Sequence, residues 1–142
     1  MSRHIQGVKQ RGSQKWIQKL VNECPNFLNQ EIMDQLKIEL GIKWTSPIVG
    51  KKYAEYRDED FLEALDLKHL AKHLQKFWPK RGPQWDGLGK AAPNYVFLVE
   101  AKSHVTEIVS PPTGAKDRGS LDKIRKSLRE TKQYLHSTSV AD

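Results

Sequence analysis

Cysteine is almost missing from this chain. Of 142 residues only Cys24 is one, so an internal disulfide and a cysteine-built zinc site are both excluded. Long apolar runs are missing too, and nothing approaches the roughly 18 residues that a membrane span requires. The opening stretch, MSRHIQGVKQRGSQ, has no apolar core of the kind a secretory leader needs, so a cytoplasmic setting is the default expectation. Acids are in deficit. Seventeen Asp and Glu stand against 24 Lys and Arg, a formal net charge of +7. A charged fraction of 29% beside a hydrophobic fraction of 37% fits a globular domain with a modest core.

The positive charge is not evenly spread. Residues 1–30 carry five Lys or Arg against one Glu, and residues 116–132 carry seven against three acids. Such a balance favours polyanionic partners, nucleic acid first, although on charge alone a solvated basic surface serves equally well.

The first ten residues read as a basic arm. SQKWIQKLVNECP predicts a short helix with Ser13 as its cap, Trp16, Ile17, Leu20 and Val21 on one face, and Pro25 beyond its end. NQEIMDQLKIELG predicts a second helix, with Ile32, Met33, Leu36 and Leu40 on one side and Gly41 as the stop. KWTSPIVG reads as a loop. YAEYRDEDFLEAL has helical periodicity through Tyr53, Tyr56, Phe61 and Leu65, and DLKHLAKHLQKFW continues it, with Asp66 as a cap. Proline and glycine then interrupt the pattern in PKRGPQWDGLGKAAPN, which predicts a turn and a short strand around residues 84–88. A second strand covers NYVFLVEAKSH, and SHVTEIV reads as its continuation or a third. SLDKIRKSLRETKQYL predicts a closing helix with Leu121, Ile124, Leu128 and Leu135 inward and Arg125, Arg129 and Lys132 along one flank. Helices, then two or three strands, then a helix indicate class α/β or α+β, a small sheet with helices packed on it.

The chemistry concentrates where the apolar strand ends. Side chains on a strand alternate faces, so Glu100 and Lys102 point the same way. Alone, Glu-x-Lys is more often an edge-strand ion pair than a site. Asp86 changes the weighing, because a neighbouring strand can bring it opposite Glu100. Two converging carboxylates repel each other unless a cation lies between them, and Mg²⁺ suits an all-oxygen site completed by water. A lysine beside such a site can orient water or stabilise charge on a phosphate. That set suits phosphodiester hydrolysis.

Asp86 followed by an apolar strand ending Glu100-Ala101-Lys102 resembles the PD-(D/E)XK superfamily, the restriction-endonuclease-like nucleases. The stretches YAEYRDEDFL, FWPKRGPQWDGLG and LVEAKSHVTEIVSPPTGA look like a bacterial branch of it, and the resemblance runs from about Tyr53 to Leu135. It implies a small mixed sheet flanked by helices in the order α-β-β-β-α-β. It implies Mg²⁺, or Mn²⁺ in its place, held by Asp86, Glu100 and the Ala101 carbonyl, with Lys102 assisting the attacking water. Glu55 and Glu63 are candidates for a further acid, and His104, by its parity, for a phosphate contact. Arg125, Arg129 and Lys132 are candidates for nucleic-acid binding. Trp85 stands where the family motif has proline. The chain stops soon after the helix ending near Leu135, where that fold has at least one further strand, so the core is expected to be incomplete at this end.

The expected organisation is a basic arm and helical extension over residues 1–50 and a nuclease-like core over 51–142. The expected activity is Mg²⁺-dependent endonuclease-type cleavage, with DNA the first substrate, no membrane partner, and a homodimer compatible with the fold. The alternative is a nucleic-acid-binding module without catalysis, an inactive or truncated relative. A basic adaptor for an acidic protein would explain the charge but not the convergent acids. His69 and His73, four apart among lysines, read as surface residues, and Trp16, Trp44 and Trp78 as core.

Overall fold

The computed structural model describes residues 5–39, 41–109 and 113–139. Among them the chain forms a mixed α+β fold of five α-helices and one three-stranded sheet. The helices are α1 (Gly12–Glu23), α2 (Pro25–Leu36), α3 (Asp58–Ala64), α4 (Ala71–Phe77) and α5 (Arg118–Ser139). The strands are β1 (Lys43–Ser46), β2 (Gly87–Ala91) and β3 (Tyr95–Val99), paired antiparallel in the order β1-β2-β3. The described sheet is therefore antiparallel throughout, where a mixed sheet was expected.

The core lies between the sheet and the first two helices. Ile17 and Val21 of α1 pack with Ile42, Trp44 and Ala91, and Leu28 and Ile32 of α2 close the cluster. The Trp44 indole also donates to Asn29 Oδ1 at 2.8 Å, which satisfies its only polar atom in the core. Glycine in β2 makes room for this ring. A Cβ at Gly89 would lie 3.0 Å from Ile42 Cγ2 and 3.3 Å from the Trp44 ring. On the opposite face Leu88 is fully buried. β1 comes from before residue 50 and β2 from after it, so one sheet joins both segments.

Several elements differ from the sequence reading. The KWTSPIVG loop holds β1, because Trp44 and Ser46 bury alternately and Ser46 Oγ donates to the Ala54 carbonyl at 2.8 Å. Arg11 occupies the N-cap position of α1 without a side-chain capping bond, and Ser13 lies inside its first turn. Pro25 ends α1 and also opens α2, since proline at a first helical position gives up an N–H that would have no partner there. α2 ends at Lys37, in the left-handed region, well before Gly41, and Leu40 lies outside the described residues. Only Asp58–Ala64 of the 53–65 stretch is helical, because Tyr56 is taken into a bridge with Trp85. Asp66 caps nothing and instead pairs with Lys90 at 2.8 Å. β2 begins three residues later than expected. Residues 105–108 form a 3₁₀ turn and not a strand, since Glu107 accepts hydrogen bonds from the Ser103 N–H and hydroxyl and folds the chain back.

Two inward assignments also change. Trp16 is 52% exposed, with the Lys15 ammonium 5.2 Å from its ring centre. α5 buries Ile124 and Ser127 but leaves Leu128 and Leu135 exposed, because it meets the body of the molecule at α4. There Ser127 Oγ donates to the Phe77 carbonyl and Lys123 Nζ to that of Gln75.

Candidate metal and phosphate site

The register of the β2–β3 hairpin builds the site. Gly87 pairs with Val99, so Asp86, one residue before β2, stands across from Glu100, one residue past β3. The Ala101 N–H then donates to Asp86 Oδ2 at 2.8 Å and locks the carboxylate in place. Trp85 is fixed from the other side, where its backbone N–H donates to the Tyr56 carbonyl at 3.1 Å. Asp86 is thus gripped on both flanks by backbone pairing.

Asp86, Glu100, Ala101 and Lys102 line one open cavity of about 320 Å³. The start of α1, including Arg11 and Gln14, and Glu107 complete the lining. The sequence reading did not single out these last three. Arg11 was hidden in the basic arm, and Glu107 in a stretch read as a strand. Glu107 is the more recoverable, since a glutamate four residues after Ser103 can reach back to it in a tight turn.

Asp86 is only 9% exposed. Burial pushes its carboxyl above the usual aspartate range, and the Glu100 charge pushes the same way. The Ala101 N–H and, more weakly, the Lys102 ammonium oppose them. Lys102 Nζ donates to Glu100 Oε1. That bond, chiefly, raises the lysine above its ordinary value. Glu107 lies below the usual glutamate range because Ser103 donates to it twice.

The donor set fits a hard divalent cation. Asp86 and Glu100 offer oxygen ligands on one cavity, and Asp86 Oδ1 accepts no protein hydrogen bond among the described residues. No group of three or more His, Cys, Asp or Glu converges among those residues, so the remaining positions fall to backbone oxygen, such as the Ala101 carbonyl, and to water.

The other candidates lie elsewhere. Glu55 is buried, 3% exposed, and accepts from Gln6 at 2.8 Å, Gln14 at 3.2 Å and Gln84 at 2.6 Å. It ties the N-terminal arm and α1 to the segment leading into Asp86 but does not line the cavity. Glu63 is exposed and 3.6 Å from Lys68. His104 is exposed and outside the cavity wall, as are His69 and His73. Arg125, Arg129 and Lys132 are exposed along α5, with Arg125 3.7 Å from Asp122. No described helix is long and apolar enough to cross a membrane.

Comparison with protein-family models, curated proteins and solved structures finds no match to this chain.

Proposed function

We propose that this chain is a Mg²⁺-dependent nuclease-like domain that hydrolyses phosphodiester bonds, with DNA as its first substrate and a cytoplasmic setting. One observation carries the reading. Asp86, a buried carboxylate held by the Ala101 N–H, stands across from Glu100 on a cavity that also presents Lys102. A carboxylate kept at a burial cost, with one oxygen left open, suits a site that takes up a cation. α3 and α4 lie between β1 and β2, so the described order departs from the β-β-β-α run of the family that the motif resembles.

Mg²⁺, held by Asp86, Glu100 and the Ala101 carbonyl, would neutralise charge on a phosphoryl oxygen. The side chains perform the rest. Lys102, as a cation, donates to the water or to the phosphate oxygen that gains charge. Arg11, which also lines the cavity, adds positive charge for a substrate phosphate. The antiparallel pairing holds Asp86 and Glu100 in fixed relation before substrate arrives.

The test is cleavage of supercoiled and linear DNA, with RNA alongside, in Mg²⁺ or Mn²⁺ and in chelator. Divalent-dependent cleavage that Lys102→Ala lowers by about a hundredfold or more is the expected result. Cleavage unaffected by chelator would refute the reading. A binding module without catalysis is the second reading, favoured by the Lys102–Glu100 ion pair, in which the two groups satisfy each other. DNA binding without cleavage at any metal concentration would select it.

A further inference from the structure

Trp85 lines a second, larger cavity. It measures about 650 Å³ and is enclosed by α3, α4, the 78–85 turn and Lys123 of α5. We infer that this cavity receives an unpaired nucleobase of the bound nucleic acid, which rests on the nucleic-acid reading above.

Four aromatic rings make the walls: Phe61, Phe77, Trp78 and Trp85. Phe61 and Trp85 meet edge to face at 6.2 Å, and Phe77 and Trp78 lie at 6.2 Å and 37° to each other. Rings from separate elements facing one open space are the surfaces on which an unstacked base can settle. Gly82 keeps Trp78 in the wall, since a Cβ there would lie 2.9 Å from Trp78 Cδ1. The Trp85 indole N–H is buried with no acceptor among the described residues, so one wall ring has an unmet donor.

The rim has the chemistry of a nucleotide. Lys80 is exposed on the cavity edge and forms no ion pair with an acid among the described residues, which leaves it for a phosphate. Glu59 and Asp60 also line the cavity, and the Gln75 side-chain amide donates to Glu59 Oε1. Asp58 is already engaged by the backbone N–H groups of Arg81, at 3.1 Å, and Gly82, at 2.9 Å. Trp85 adjoins Asp86 in sequence, so a base on this wall is coupled through one residue to the candidate metal site.

The test uses labelled DNA in chelator, where nothing is cut. Three duplexes are compared by fluorescence anisotropy: fully paired, with one bulged adenine, and with an abasic bulge. The bulged adenine is expected to bind about tenfold tighter than the other two, the size of one base–aromatic stack. Phe77→Ala and Trp78→Ala should each remove most of that preference and leave affinity for paired DNA unchanged. Phe77 is 40% exposed, so its variant tests the wall with little demand on folding. Equal binding of all three duplexes overturns the inference while leaving the nuclease reading intact. So does a preference that survives both aromatic variants, or one shared by the abasic bulge. Absence of any DNA binding at low salt overturns both.

Discussion

Replacing Asp86 with asparagine separates the cost of the buried charge from the geometry that holds it. The asparagine carbonyl can still accept from the Ala101 N–H, so the backbone lock survives. What disappears is the ionised group. Because burial holds the Asp86 carboxyl above its unfolded value, the native state keeps this proton longer than the unfolded chain does. Its favourable contribution is complete below the ordinary aspartate range and is lost as pH rises through the raised value. At neutral pH the metal-free wild type carries that loss and Asp86→Asn does not, so the variant should melt at the same temperature or higher. Metal reverses the order. A ligand that binds only the folded state stabilises it by about 2.7 kcal/mol at a hundredfold excess over its dissociation constant. Unfolding entropy for 142 residues is roughly 0.3 kcal/mol per kelvin, so wild type should gain about 9 °C in saturating Mn²⁺. Asp86→Asn should gain almost nothing. Metal affinity should also strengthen as pH rises through the Asp86 value, because the ligand must lose its proton. The assay is thermal unfolding with and without Mn²⁺ at several pH values. A strongly lowered melting temperature for metal-free Asp86→Asn would show that the carboxylate is a structural turn residue. No Mn²⁺ shift in wild type at millimolar metal would refute the site.

Lys102→Ala should lower cleavage by about a hundredfold to a thousandfold, the loss seen when one donor to developing charge is removed, with DNA affinity nearly unchanged in a binding assay. Triple alanine replacement of Arg125, Arg129 and Lys132 should reduce the slope of log affinity against log salt by about one for each phosphate that the flank no longer neutralises; an unchanged slope would make that flank plain solvated surface. Gly89→Ala should destabilise the fold by about 1–3 kcal/mol in chemical denaturation, since its Cβ would press on Ile42 and Trp44. A neutral result there would mean that the core facing β2 is loosely packed.

Pairing of Glu100 with Lys102 was expected from strand parity, but β3 ends at Val99 and the two residues meet in the segment that follows it. Asp86 was legible as a partner, but what brings it there is the hairpin register, and register is set by cross-strand contacts no local pattern records. β1 and β2 were hard to place for opposite reasons. Lys43–Ser46 is short and runs into a proline, so it looked like a loop. Gly87–Ala91 contains almost no strand-favouring residues, and its glycines make sense only once the Trp44 ring lies over them. The helices were legible where an apolar face repeats, as in α1. In α5 the same repeat was misleading, because Leu128 and Leu135 keep the period without a surface to meet. Arg11 and Glu107 gained meaning only from the fold that places them on one cavity.

β3 lies at the edge of the sheet, with Tyr95, Val96 and Leu98 substantially exposed. Its outer row of backbone N–H and C=O groups has no strand beside it among the described residues, and no charged side chain within Tyr95–Val99 guards it. What keeps such edges apart in solution is then the charge of the whole molecule, +7 on each copy. That repulsion is screened as salt is added, with a reach of about 10 Å at 0.1 M falling to about 3 Å at 1 M. Colloidal stability of this protein is thus tied to ionic strength. The dilute buffers in which a basic surface holds DNA most tightly are also those in which the molecules best avoid each other, and concentrated salt weakens both restraints together.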